Sequence, residues 1–265
     1  MKRCLSLLLV ILSCAVLRGQ SRVDSIRTRL LDPGDRSVLV VSHRGEWSRA
    51  KENSVESIEA AIALGADVVE IDVRRVRGGE LILNHDWVRV KPRGATSLEE
   101  ALLAAKGKIM VNIDKAFPEF DSIVRIAERT GTLDHLIFKS GMPAYRAAEV
   151  MGEYAGKVIF MPVIGMDGGG ALAGIADYLN ILNPPVFELV FANGDNPSLT
   201  IVAALLEGRS RIWVNTMWPS LCGGHDDAAS LTNPEEGYGW LIDKVGAGAI
   251  QTDRTAFLVD YLKKR

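Results

Sequence analysis

Short apolar runs recur along the chain, beginning at Val38, Val68, Ile109, Leu136, Val158, Val186, Ile212 and Ala249. Each reads as a strand, and most of the stretches between them place apolar residues at helical spacing, as in Ser54 to Leu64 and Asp121 to Glu128. Thr96-Ser97-Leu98-Glu99-Glu100 is a capping-box pattern opening another helix, and Phe257 to Leu262 reads as a terminal one. Ser21 to Leu31 predicts a helix packed against the floor of the sheet, or a short tether. Strands alternating with helices imply a parallel sheet. An open doubly wound sheet shares that alternation, but eight strands favour closure into a single-domain α/β fold, the (β/α)8 or TIM barrel. No linker, heptad or longer repeat interrupts the pattern.

The polar residues that break this pattern concentrate between Ser42 and Asp86. In order they are His43-Arg44-Gly45, Glu52-Asn53-Ser54, Gly65-Ala66-Asp67, Glu70-Ile71-Asp72-Val73 and Asn84-His85-Asp86. His43 and Arg44 fall just past the strand Val38 to Val41, at the end where a barrel or an open sheet presents its chemistry. Glu70 and Asp72 stand two apart in the strand Val68 to Val73, so both point to one face. They either line the polar side of an exposed strand or, among Val and Ile, repel each other until a cation neutralises them. A hard divalent ion, Ca²⁺ or Mg²⁺, answers the second case because it prefers oxygen ligands. Each fragment alone is also ordinary turn chemistry; their joint order sets them apart.

In that order the fragments resemble the N-terminal signature of the glycerophosphodiester phosphodiesterases, which carry a His-Arg-Gly, a Glu-Asn-Thr or Glu-Asn-Ser, a Gly-Ala-Asp, a Glu-x-Asp and a His-Asp. The resemblance implies metal-dependent hydrolysis of a phosphodiester, a glycerophosphodiester yielding glycerol 3-phosphate and an alcohol. Glu70 and Asp72 then hold the ion, Arg44 holds the phosphate, and His43 and His85 form an acid and base pair whose assignment is open. Water or a neighbouring substrate hydroxyl is the attacker. The family places a Glu-x-Lys after its third strand; here Ile109 to Ile113 ends in Asp114-Lys115, which makes Asp114 the third ligand. Sphingomyelinase D type enzymes also use an aspartate there, with a lysine two positions on. Alternation turns Lys115 away from the site, so Lys139, after the strand Leu136 to Phe138, is the alternative cation for the phosphate. Glu52 orients Arg44 or His43, or caps the helix beginning near Asn53. Trp213-Val214-Asn215 and Gly248-Ala249-Ile250-Gln251-Thr252-Asp253 resemble the family's last two strands.

The chain departs from the family after Asp86, where members commonly insert some tens of residues that help hold glycerol. The insertion is nearly absent, which leaves the leaving alcohol open. A phospholipase or sphingomyelinase D type, or phosphatidylinositol phospholipase C type, activity on lipids is an alternative, and a non-catalytic binding module on the same barrel is a further one. Glu188, Asn215, Trp218 and His225 follow or end later strands and are candidate substrate contacts at the mouth. Trp213 either joins Trp218 in an apolar wall or packs in the core. Gly168-Gly169-Gly170 lacks the lysine of a phosphate-binding loop and reads as a turn.

Residues 1–19 read as a secretion signal: Lys2 and Arg3, then Leu5 to Leu12, then a small-residue site around Ser13-Cys14-Ala15. Ile11-Leu12-Ser13-Cys14 equally fits a lipoprotein signal ending before Cys14. Both place residues 20–37, an N-terminal segment, and the barrel domain 38–265 outside the cytoplasm, in a periplasm, at a cell surface or secreted, with no transmembrane helix once the leader is removed. Of three cysteines, two fall in the leader and Cys222 is left without a partner, so no disulfide framework exists. The net charge of −2 becomes −5 once Lys2, Arg3 and Arg18 leave, which argues against a nucleic-acid partner; the partner the resemblance implies is a small-molecule phosphodiester, lipid-derived or not.

Overall fold

The computed structural model describes residues 21–265, so the leader and the processing site at Cys14 lie outside the described residues. Eight parallel strands form the barrel: β1 (Leu39–Ser42), β2 (Val68–Arg75), β4 (Met110–Asp114), β5 (Leu136–Ser140), β6 (Ile159–Gly165), β7 (Val186–Val190), β8 (Arg211–Asn215) and β9 (Ala247–Thr252). Closure is made by β1, which pairs with β2 (Val41 opposite Val68) and with β9 (Leu39 opposite Ala249). A short strand the apolar pattern did not signal, β3 (Leu81–Leu83), folds back antiparallel on the projecting end of β2.

The helices are α1 (Arg22–Leu31), α2 (Val55–Leu64), α3 (Leu98–Ala105), α4 (Phe120–Thr130), α5 (Ala144–Met151), α6 (Ala171–Ile181), α7 (Ser198–Leu206), α8 (Asp227–Thr232) and α9 (Thr255–Lys264). Ser97 caps α3 with reciprocal bonds to Glu100, as its capping-box spacing requires, and Ser54 caps α2 in the same way with Ser57 in place of the usual Glu or Gln. The outer core lies between strands and helices. A second core fills the barrel floor, where Val23, Ile26 and Leu30 on one face of α1 meet Leu39, Val41, Val68, Met110, Ile137, Val186 and Trp213. Helix α1 therefore plugs the barrel from below, and Trp213 is core.

Asp67 of the Gly-Ala-Asp fragment belongs to this floor. It accepts from the Val40 amide at 3.0 Å and pairs with Arg29 of α1. Gly65 ends α2 in the left-handed region. Arg211, buried, donates to the carbonyls of Gly248 at 2.8 Å and Arg29 at 2.7 Å, tying α1 to β9. No helix among the described residues is long and apolar enough to cross a membrane.

Candidate active site

Inside the barrel, Val68, Met110, Ile137, Val186, Trp213 and Ala249 belong to the floor. Two residues further along the same strands, on the same face, come Glu70, Asn112, Lys139, Glu188, Asn215 and Gln251, all but Lys139 fully or nearly fully buried. One step higher stand Asp72 and Asp114, register partners across β2 and β4.

Glu70, Asp72 and Asp114 offer oxygens that all lie within 4.8 Å of one another. Burial, and after it the charge of Asp72, pushes the Glu70 carboxyl up to about 7. Burial acts on Asp72 too, but hydrogen bonds from Lys115 and Asn53 outweigh it and hold this carboxyl below its ordinary value. Asn53 binds Asp72 twice, Nδ2 donating to Oδ2 and Oδ1 accepting from the Asp72 amide, each at 2.9 Å. An oxygen-only donor set at this spacing, with one member poorly able to ionise without a nearby cation, fits a hard divalent ion.

The cationic groups crowd the same cluster. The Arg44 amide donates to Glu70 at 3.0 Å, its Nε lies 3.5 Å from Asp72, and its Nη1 donates to both oxygens of Glu52 at 3.2 and 3.0 Å. Glu52 thus orients Arg44, and the helix cap is Ser54 instead. Lys115 corrects the expectation from alternation. The strand ends at Asp114, Lys115 takes φ 60°, and its ammonium turns back onto Asp72 and to 3.6 Å from Asp114. Lys139 reaches the cluster as well, 3.4 Å from Glu188 and 3.8 Å from Asp114. Burial opposes the charge of Lys139, yet Glu188, Asp114 and Glu70 together raise its pKa. Arg44, Asn53 and Lys115 are three of the four non-glycine residues with positive φ among the described residues, so the backbone carries local strain where the polar groups converge. Gly45 is required beside them: at φ 80°, a Cβ there would stand 2.4 Å from Ser57 Oγ at the start of α2.

His43 is buried with its Nδ1 2.7 Å from Asp253 Oδ1 and its Nε2 3.9 Å from Glu70. An imidazole that donates Nδ1–H to a carboxylate carries its free lone pair on Nε2, facing the cluster. Asp253 is in turn fixed by Asp227, whose Oδ2 accepts from the Asp253 amide at 2.8 Å. The other oxygen of Asp227 accepts from Thr216, Tyr238 and Thr252 hydroxyls at 2.7, 2.7 and 2.6 Å. Burial outweighs these bonds and raises the Asp227 pKa. Asp253 and Asp227 were not singled out from the sequence. Asp253 carried a signal, since it follows the last strand at the active end of the barrel; Asp227 reads as part of a polar loop.

Trp218 packs edge-on to His43, ring centroids 6.0 Å apart. Glu188 is held between Lys139 and Asn215, whose Nδ2 donates to it at 2.8 Å. His85 lies at the surface, its Nδ1 2.9 Å from Asp86 and its carbonyl accepting from Arg74. His225 is not drawn into the cluster: its Nδ1 bonds the Glu236 carbonyl at 2.6 Å and its ring stacks on Trp240 at 3.7 Å. Cys222 is buried, and its thiol is pushed up to about 12 by burial and by Asp226 and Asp227, which makes it a poor nucleophile.

Residues 43–106 match the glycerophosphoryl diester phosphodiesterase family, and residues 160–262 match a domain family of unknown function. A glycerophosphodiester phosphodiesterase of Caldanaerobacter subterraneus subsp. tengcongensis is 40% identical over 48 residues, which is 18% of this chain and 20% of that protein. The matched segment thus spans a fifth of the curated relative. Over nearly the whole chain the barrel is similar to that of a glycerophosphoryl diester phosphodiesterase from Parabacteroides distasonis, with a TM-score of 0.69 at 18% identity, covering 91% of this chain and 92% of the other. It is also similar to a glycerophosphodiester phosphodiesterase from Thermotoga maritima (TM-score 0.62, 20% identity, 84% and 98% covered). A phosphodiesterase from Oleispira antarctica, solved with its product sn-glycerol-3-phosphate, has a TM-score of 0.58 at 15% identity, with 86% and 97% covered.

Proposed function

From a chain that carries the glycerophosphoryl diester phosphodiesterase signature over residues 43–106 on the barrel found in those enzymes, we propose a hydrolase that cleaves a glycerophosphodiester to glycerol 3-phosphate and an alcohol. The observation that carries the reading is the meeting, at one barrel mouth, of the Glu70, Asp72 and Asp114 carboxylates with a carboxylate-oriented His43 and the cations Arg44, Lys115 and Lys139.

Glu70, Asp72 and Asp114 would hold one divalent ion, Ca²⁺ or Mg²⁺, which when bound neutralises charge gathering on the non-bridging phosphate oxygens. Arg44 is locked by Glu52 with its guanidinium against Asp72, placed to hold a phosphate oxygen. Lys115 and Lys139 bring two further ammonium groups to the cluster. His43, its Nδ1–H held by Asp253, removes a proton from an attacking hydroxyl when Nε2 is unprotonated, or supplies one to the leaving oxygen when the ring enters the step as the imidazolium. His85, held at Nδ1 by Asp86, takes the opposite part from the rim. Trp218 covers His43 and limits water access on that side.

Phosphorus NMR of the purified protein with glycerophosphocholine, glycerophosphoinositol and lysophosphatidylcholine, each with calcium or magnesium and again with EDTA, tests this reading. Metal-dependent release of glycerol phosphate from the first two compounds, or of acyl-glycerol phosphate from lysophosphatidylcholine, is expected, and a cyclic phosphate would identify a substrate hydroxyl as the attacker. Unchanged spectra with all three compounds would remove the proposed substrate class.

A further inference from the structure

Two loops stand on the β1 to β3 side of the mouth, and each begins at one of the two histidines. The first, after His43, carries Trp47, Arg49 and Lys51, all exposed. The second, after His85, carries Trp87, Arg89, Val90 and Arg93, with Trp87 71% and Val90 70% exposed. The amide of Arg77, at the tip of the β2–β3 hairpin, donates to the Arg89 carbonyl at 2.8 Å, so the second loop is pinned to that hairpin. Trp47 is anchored from the other side, its indole N–H donating to the His43 carbonyl at 3.2 Å.

Most soluble surfaces scatter large apolar side chains singly; here two tryptophans and a valine share a rim with several cations. Arg49, Lys51, Arg89 and Arg93 form no ion pair among the described residues, while of the acids on the same loops Glu46 accepts from the Ser48 amide and the others contact basic side chains. Glu52 holds Arg44, Asp86 holds His85, and Glu80 at the hairpin holds Lys91. In a chain whose net charge is −2, this rim is a local concentration of free positive charge beside exposed indoles.

We propose that this rim is a docking surface for an anionic phospholipid bilayer, with the indoles and Val90 entering the headgroup layer and the free cations meeting lipid phosphates. The Trp87 indole suits that boundary because its apolar body and polar N–H are each satisfied at different depths, while Trp47, its N–H held by the His43 carbonyl, offers only its ring. Each lysine or arginine near an anionic surface adds attraction that salt screens. Charge complementarity selects this partner, and the chemistry agrees with it: a phospholipid headgroup is itself attached through a phosphodiester, and docking points the mouth at it. The purpose of the docking rests on the phosphodiesterase reading, but the docking itself is measured without turnover.

The test is flotation of the protein with vesicles of phosphatidylglycerol and phosphatidylcholine, and with phosphatidylcholine alone, in low and high salt, with hydrolysis of soluble glycerophosphocholine followed in parallel. Binding to the anionic vesicles only, released by salt, is expected. The Trp87→Ser/Val90→Ser variant should lose it at least about tenfold, and Arg89→Gln/Arg93→Gln should lose about fivefold per guanidinium removed. Both variants should keep wild-type turnover of the soluble diester. No flotation of the wild type, equal binding to neutral vesicles, or binding that survives both variants would each overturn the proposal. A wild type that floats but cleaves nothing would leave the docking standing and remove the phosphodiesterase reading.

Discussion

The floor and the mouth of the barrel are built from the same strands, yet a step of two residues along each strand exchanges apolar packing for charge. Val68 becomes Glu70, Met110 becomes Asn112, Ile137 becomes Lys139 and Trp213 becomes Asn215. At the floor, α1 closes the barrel over an apolar cluster, with the Asp67–Arg29 pair and Arg211 at its edge. At the mouth, Asn112 has no partner for either polar side-chain atom, and Gln251 Oε1 has none. Burying such groups is unfavourable, so the mouth draws on stability supplied elsewhere. Stability and chemistry thus occupy separate layers of one set of strands, and variants should separate accordingly.

The widest separation is expected at the histidines. His43→Ala and His85→Ala should each lower turnover by about 10²–10⁴; at the surface His85→Ala should leave the melting temperature unmoved, whereas the buried His43→Ala also loses its contacts with Asp253 and Trp218 and should lower it. A His85→Ala enzyme with wild-type turnover would remove His85 from the mechanism. Ile26→Ala should do the reverse at the floor. Deleting most of a side chain that is 1% exposed costs about 2–5 kcal/mol in denaturant unfolding, while the turnover of the fraction still folded is unchanged.

Asp227→Asn probes the link between the layers, since Asp227 touches neither floor nor cluster but fixes the Asp253 backbone behind His43. A drop in kcat of about ten- to a hundredfold with KM little changed is expected. In an Asp253→Asn background the same substitution should add little, because its effect passes through Asp253. Full additivity would mean that Asp227 only supports the fold.

The smallest effect expected is the response of stability to pH. Glu70 has its folded pKa raised from 4.5 to about 7, so between those values the folded protein keeps a proton that the unfolded chain has released. With EDTA present, stability should therefore fall as pH rises through that window and level off above it. Calcium or magnesium should restore stability most above pH 7, where Glu70 is ionised, and least near pH 4.5. Denaturant melts at the two ends of the window, with and without the ion, measure this. A flat profile would mean that Lys115 and Lys139 already neutralise Glu70.

Much of this could be read along the chain because it depends on neighbours in sequence. Apolar periodicity located all eight barrel strands, and the capping spacing located Ser97; at the other capped helix Glu52 was the candidate and the cap is Ser54. The ordered fragments from His43 to Asp86, with Asp114, supplied the carboxylates that meet at the mouth. What the chain alone did not decide depends on contacts between distant residues or on a break in local geometry. Lys115 was assigned outward by strand alternation, but the strand stops one residue earlier and a positive φ reverses the side chain. His225, expected at the mouth because it follows a late strand, stacks instead on Trp240. Asp227, from the same loop, is buried by hydroxyls of Thr216, Tyr238 and Thr252, brought together only when β8 and β9 pair. Periodicity assigns each strand residue a face because its physics is local; which groups then meet across the barrel is set by closure, which no short stretch of sequence contains.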